Sequence, residues 1–459
     1  MGPKIAFIGA GSFIFARTII TDLMCFPELR DVRLSLMDVD RERLAVSENL
    51  ARQVIAQVKA PATVTATTDR HAALEGADYV VAMFEPDGLA ARKTEIEAPL
   101  TFGVPQCVGD TLGPGGIFKG IRTATVLLDV ARDMERLCPD ALLMNYVNPM
   151  AINCWAVNRL TKIRCIGMCH GYERSMQRLA HYLGLAGELE GKGAGINHMC
   201  WILGLWHEGR DVYPDLWAKI DEILPDDPIR FSIMKTFGYF VTESPYHMAE
   251  YVPYFTQRFA PLKVHAAAAP ELNYGLFGWG GRTVEPSEGP GGRPEQKLPI
   301  GWDIQLYEGQ HQATYERQME AIRRGDPVEL KLSIEYAARI IHSLVTDTPR
   351  RISLNSPNRG LISNLTAGCT VEVPTYIDRK GVHPEGIGEL PFRCAALCQR
   401  NVDVQWHVVE ALATRERRNI LYALLMDPLT GACLEPLKIA ELFEAMVKAE
   451  PQRLPEWMV

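Results

Sequence analysis

The sequence predicts an α/β protein with a doubly wound, largely parallel N-terminal lobe and an α+β C-terminal lobe. Three observations predict it. Apolar, β-branched runs alternate with amphipathic stretches through the first 170 residues, the pattern of a parallel sheet covered by helices. A Gly-rich turn, Gly9-Ala10-Gly11, follows the first apolar run. From about Gly195 the alternation gives way to long helical segments mixed with short strands.

Taken in order, the strands of the first lobe are expected at Lys4–Gly9, Val32–Asp38, Thr63–Thr67, Asp78–Phe84, Ala141–Val147 and Arg164–Met168. Between them, Phe13–Met24, Arg41–Val58, Gly116–Leu137 and Ala151–Leu160 carry apolar residues at helical spacing. Further on, Val328–Leu344 and Val402–Leu425 read as helices and Cys369–Val373 as a strand. The segment from Phe277 to Pro294 is so rich in Gly and Pro that a loop or lid is expected there. The lobes are divided as residues 1–194, binding a dinucleotide, and 195–459, serving substrate and assembly.

A chain of 459 residues exceeds what one hydrophobic core usually fills, and 47% hydrophobic residues suffice for two packed lobes. With a net charge of −8 and no run of Lys and Arg along a helix, a nucleic-acid or anionic membrane partner is disfavoured and a small-molecule partner expected. No stretch is long and apolar enough for a transmembrane helix, and Lys4 enters a strand with no basic-then-apolar leader, so a cytoplasmic location is expected. The 11 scattered cysteines read as reduced thiols.

Gly9 and Gly11, followed by Ser12 and Phe13, match the first two glycines of the G-x-G-x-x-G fingerprint, while its third position is Ile14. Asp38 closes the next strand, where a carboxylate accepts hydrogen bonds from ribose hydroxyls and repels a 2′-phosphate, favouring NAD over NADP. The alternative is a helix N-cap for the stretch beginning near Arg41. A second Gly-rich turn, Asp110 to Gly116, precedes a helix. Cys169 follows the strand ending at Met168, hence lies at the carboxyl edge of the sheet, and His198 falls within reach of that edge. By spacing alone this pair is as well read as a buried thiol and a core histidine.

The motifs Phe7-Ile-Gly-Ala-Gly-Ser12, Leu36-Met-Asp-Val-Asp40, Asp110-Thr-Leu-Gly-Pro-Gly-Gly116, Asn145-Tyr-Val-Asn-Pro-Met150, Cys169-His-Gly171, Gly195-Ile-Asn-His198 and Gly238-Tyr-Phe-Val-Thr-Glu243 together resemble glycoside hydrolase family 4, closest to its α-galactosidase and α-glucosidase branch. The resemblance implies a Rossmann-type first lobe like that of lactate and malate dehydrogenases. It also implies NAD and Mn2+ as cofactors and a homodimer or homotetramer. The chemistry so implied departs from the two-carboxylate glycosidases. NAD⁺ takes hydride from the sugar C3, and the ketone acidifies the C2 proton. The metal stabilises the enediolate. A base removes that proton, the glycosidic oxygen leaves, water adds, and the hydride returns.

On the same resemblance Cys169 and His198 hold the metal, and Asn148 touches the sugar hydroxyls beside it. His170, after the Cys, suits an unphosphorylated sugar. Asp110 is the candidate acid; Glu243 and Tyr251 compete as the base; His247 contacts substrate or packs. An α-galactoside is expected before an α-glucoside. Gly171 follows Cys169-His170 where the family's uronic-acid enzymes carry Gly, which keeps an α-hexuronidase open, with Lys119, Arg122 or Arg174 to pair with the carboxylate and surface solvation the ordinary fate of such residues. A hydroxy-acid dehydrogenase and a non-catalytic NAD-sensing module are the readings from other classes.

Overall fold

The computed structural model describes residues 2–242, 244–260 and 316–459, and the short strands Ser287–Glu288, Pro294–Glu295 and Leu298–Pro299. The expected loop at Phe277–Pro294 and the base candidate Glu243 lie outside the described residues, apart from those short strands.

Six parallel strands form the first half of one sheet: β1 (Lys4–Ile8), β2 (Arg33–Met37), β3 (Thr63–Thr67), β4 (Tyr79–Ala82), β5 (Leu142–Asn145) and β6 (Cys165–Gly167). Their spatial order is β3-β2-β1-β4-β5-β6. The order reverses between β1 and β4, and ligands of open α/β sheets bind outside the carboxyl ends of strands at such a switch. Alternate residues of β1 feed opposite faces, as a pleated strand requires. Ile5 and Phe7 pack with Ile19, Ile20 and Leu23 of helix Phe13–Cys25. Ala6 and Ile8 pack with Ile117, Ile121 and Leu128 of helix Gly113–Leu137.

The second half continues the same sheet instead of starting another. Strands β7 (Glu190–Ile196), β8 (Met199–His207), β9 (Arg210–Asp211), β10 (Phe240–Val241), β11 (Arg350–Pro357), β12 (Thr370–Asp378) and β13 (Gly381–Pro384) extend it antiparallel, with β11 pairing directly with β6. Register places Gly167, Asn355, Glu372 and Gly195 in one row across β6, β11, β12 and β7. Cys169 and His198 follow the two ends of that row by two and three residues.

Two expectations are corrected. The helix expected over Val328–Leu344 begins only at Ala337, because Gln57 holds both backbone groups of Val328 and Asp22 holds Ser333 through its N–H and hydroxyl. The segment Val402–Leu425 is not one helix: Phe392–Thr414 ends where Arg415 turns left-handed at φ 60°, and Arg418–Met426 follows. The β7–β8 hairpin was not anticipated. Its glycines are required, since a Cβ on Gly193 would enter the Tyr172 ring and one on Gly195 the Met199 carbonyl.

Candidate active site

Ser12 N–H bonds Gly9 carbonyl at 2.9 Å and Phe13 N–H bonds Gly11 carbonyl at 2.8 Å, folding the turn so that helix Phe13–Cys25 starts beside it. No side chain caps that helix, so its positive N-terminal end faces the turn where an anion would bind. Gly9 sits at φ 90° with Phe84 against it; a Cβ there would stand 2.6 Å from the Phe84 Cβ. Gly11 has no room either, because a Cβ would lie 2.7 Å from Asp38 Oδ2. That oxygen accepts the Gly11 N–H at 2.7 Å, and Oδ1 accepts the Asp40 N–H at 2.9 Å. Each carboxylate oxygen keeps a second lone pair for a ribose hydroxyl. The N-cap of helix Arg41–Gln57 is Asp40, whose Oδ1 accepts from the N–H groups of Glu42 and Arg43, so Asp38 is not spent as a cap. These residues fit an adenosine dinucleotide: a Gly cradle, an open helix terminus and a second-strand carboxylate.

Asp110, buried at 3% exposure, is the hub of the second cluster. Its Oδ1 lies 3.3 Å from His247 Nε2 and accepts the Thr111 hydroxyl at 2.6 Å; its Oδ2 accepts Asn148 Nδ2 at 3.1 Å. Thr111 Oγ in turn stands 3.3 Å from His198 Nδ1, and the His198 and His247 rings are 4.2 Å apart between centroids. Ser244 Oγ holds His247 Nδ1 at 2.9 Å. Burial pushes the Asp110 carboxyl up, but the His247 hydrogen bond and charge, with Lys119 and Arg92, outweigh it and hold it well below the usual carboxylate range. Asp110 is therefore ionised at neutral pH.

For a metal, the donors offered are a thiol, an imidazole and an amide oxygen. Cys169 is half-buried, and its Sγ takes the Gly171 N–H at 3.4 Å. His198 is held through Nδ1 by Thr111, which orients Nε2 in the manner of an outer-shell partner. Asn148 Oδ1 is buried with no hydrogen-bond partner among the described residues, a cost that a cation would relieve. No three His, Cys, Asp or Glu side chains gather as a metal site among the described residues, so oxygen donors must complete any coordination shell. Within that limit the residues fit a single divalent cation with positions left for substrate oxygens.

The remaining expected residues fall as follows. His170 has its Nδ1 2.9 Å from Glu335 Oε1 and occupies the N-cap position of helix Gly171–Leu183 without a side-chain capping bond. Tyr251 is buried and donates its hydroxyl to the Asn197 carbonyl at 3.1 Å, one residue before His198. Lys119 and Arg122 are not surface residues: both are buried, Lys119 on Glu85 at 2.8 Å and Arg122 on Glu95 at 2.6 Å. Sequence reasoning missed Thr111, Glu85 and Glu250. Glu250, fully buried, accepts the N–H groups of Val108 at 2.7 Å and Gly109 at 3.0 Å and so shapes the turn that carries Asp110. Desolvation pushes its carboxyl up to about 7 against those bonds. A 141-residue separation leaves no spacing signal that could have found it.

The model described as family 4 glycosyl hydrolase matches residues 4–185, and that of the family's C-terminal domain matches residues 193–430. An α-galactosidase of Rhizobium meliloti is 34% identical over 99% of this chain and 89% of its own length. An α-galactosidase of Bacillus subtilis is 34% identical over 99% of both chains. Among solved structures, a 6-phospho-α-glucosidase from gut microorganisms, in complex with NAD and Mn2+, superposes with a TM-score of 0.79 at 17% identity, covering 99% of each chain.

Proposed function

The chain belongs to glycosyl hydrolase family 4, and from that premise we propose that it is a cytoplasmic, NAD- and Mn2+-dependent α-galactosidase acting on unphosphorylated α-glycosides. The single observation that carries the reading is the network Asn148–Asp110–Thr111–His198, with His247 on the same carboxylate, at the carboxyl edge of the sheet that also carries the dinucleotide turn. The galactoside preference is supported by the two α-galactosidases at 34% identity. All eleven cysteines are free thiols, as a reducing compartment requires. Among the described residues no helix is long and apolar enough to cross a membrane.

Gly9, Gly11, Ser12, Phe13 and Asp38 would hold NAD⁺, which when bound supplies a reversible hydride acceptor for the sugar C3. Cys169, His198 and the Asn148 amide oxygen would hold the cation, a Lewis acid for oxygens where negative charge develops. Asn148 fixes the position of a sugar hydroxyl through the same amide that Asp110 orients. Asp110, ionised, stabilises His247 as an imidazolium, so the pair delivers a proton to the departing glycosidic oxygen. Asp110, ionised, has no proton of its own to give, so in this reading the acid expected at Asp110 is His247, and Asp110 orients it. Glu243 and Tyr251 remain the two candidates for the base, and Tyr251 is supported by its hydrogen bond to the Asn197 carbonyl, one residue before His198. His170 borders the sugar, held by Glu335. A homo-oligomer is part of the same reading.

The test is p-nitrophenol release from α-galactoside, α-glucoside and α-galacturonide substrates under reductant, with NAD⁺ and Mn2+ each present or omitted. Galactoside cleavage that needs both additives is the expected result. Accumulation of NADH from free sugars without cleavage would replace the reading with a dehydrogenase.

A further inference from the structure

Between the dinucleotide turn and the Asp110 cluster lies a group of buried charges that the reaction outlined above leaves unused. Glu85, three residues beyond β4, receives Lys119 Nζ at 2.8 Å and Arg92 Nη2 at 3.1 Å on Oε1, with Arg92 also 3.3 Å from Oε2. Arg122 contacts the Pro86 carbonyl and donates to Glu95 Oε1 at 2.6 Å. Lys119 and Arg92 retain side-chain exposures of 4% and 7%, whereas Glu85 keeps 32%. The Glu85 side chain is therefore the exposed member of this cluster and the cations are its buried backing. Its place is fixed on two sides. Phe84 packs against Gly9 of the dinucleotide turn, and Gly120, next to Lys119, lies against Pro149, next to Asn148. Lys119 and Arg92 are close enough to act on the Asp110 carboxyl.

We propose that Glu85 is a specificity residue that selects uncharged sugars: its carboxylate cancels the charge of Lys119 and Arg92 and offers an acceptor to a substrate hydroxyl, so a carboxylate or phosphate on the substrate meets an anion instead of two cations. The inference rests on the glycosidase reading and sharpens its substrate class. Within the cluster Arg92 and Lys119 pair with Glu85, and Arg122 pairs with Glu95. Deleting one negative charge converts the open face from an anion into a cationic socket. The Lys119 and Arg92 charges also hold Glu85 down to about 2, so it stays ionised throughout the working range of any such enzyme. The reading opposes the uronic-acid specificity that Gly171 left open.

The holoenzyme with NAD⁺, Mn2+ and reductant is assayed on p-nitrophenyl α-galactoside and α-galacturonide, and binding of galactose and galacturonate is measured by calorimetry. Wild type should cleave the galactoside, bind galactose and reject both uronates. Glu85→Gln should raise the galacturonide-to-galactoside ratio of kcat/KM by at least about tenfold and acquire galacturonate binding. The double variant Glu85→Gln with Lys119→Gln should lose that gain. A ratio unmoved in Glu85→Gln, or raised equally in the double variant, would overturn the proposal. So would uronate binding by wild type, a result that needs no variant to fold. Sugar binding with the expected preference but no cleavage of any substrate would sink the glycosidase reading while leaving Glu85's role standing.

Discussion

Asp110 Oδ1 and His247 Nε2 face each other at 3.3 Å in a site where both side chains are almost wholly removed from water. Neither residue would hold its charge there alone, and burial by itself would protonate the carboxyl. The pair resolves this by sharing charge, which sets the pH behaviour of the cluster.

His247→Asn should therefore let burial dominate at Asp110. Its carboxyl then rises from well below the usual range, and the acid limb of kcat/KM against pH should move to higher pH, with at least about a hundredfold loss of turnover near neutrality. An acid limb that stays in place while turnover falls would separate His247 from the Asp110 charge. In the wild type, the stability drawn from this depressed carboxyl is present above the ordinary unfolded value and lost as pH falls through the folded one.

Gly11→Ala tests the dinucleotide turn. The new Cβ meets the Asp38 carboxylate at 2.7 Å, so the turn must open or Asp38 must swing away. NAD⁺ affinity, followed by tryptophan fluorescence titration, should weaken at least about tenfold with Mn2+ binding unchanged. An unaltered titration would move the ribose contact elsewhere.

Cys169→Ser should abolish turnover, at least about a hundredfold, and weaken Mn2+ binding read by electron paramagnetic resonance, while NAD⁺ binding stays near wild type. A hydroxyl is a much poorer ligand than a thiolate. Retention of metal affinity in the variant would remove Cys169 from the cation's shell.

Glu250→Gln bears on stability. Wild-type Glu250 binds its proton more tightly folded than unfolded, with its carboxyl pushed from 4.5 up to about 7. The folded state therefore loses stability as pH rises across that window, and the contribution is fully present only below it. Gln can still accept the Val108 and Gly109 N–H groups but carries no charge to bury. Melting temperatures from pH 5 to 8 should show the variant gaining on wild type toward pH 8; parallel curves would contradict this.

Much of the first half was legible because its determinants are local. Apolar periodicity placed all six parallel strands, and Gly9, Gly11 and Asp38 sit on consecutive strand ends that sequence order alone brings together. The β7–β8 hairpin was not legible, because its glycines answer to Tyr172 and Met199 rather than to a turn. Among the site residues, Asp110, Asn148, Cys169 and His198 stood out through ordered motifs. The pairings that set their charge did not: His247 lies 137 residues from Asp110, Glu250 141 from Gly109, and Glu85 34 from Lys119. Such pairs are chosen by packing and charge balance, which one-dimensional spacing does not encode. The ionisation of Asp110 is likewise a sum over neighbours, invisible until they are assembled.

Because β11, drawn from residues 350–357, pairs with β6 at Asn355 and Gly167, the nucleotide half is finished by chain synthesised long after it. A fragment ending near residue 185 would leave β6 as a raw edge of unpaired N–H and C=O groups, inviting association with other chains. Modular exchange is correspondingly constrained. A dehydrogenase-type nucleotide half cannot be replaced as a cassette without also supplying the strand that seals it.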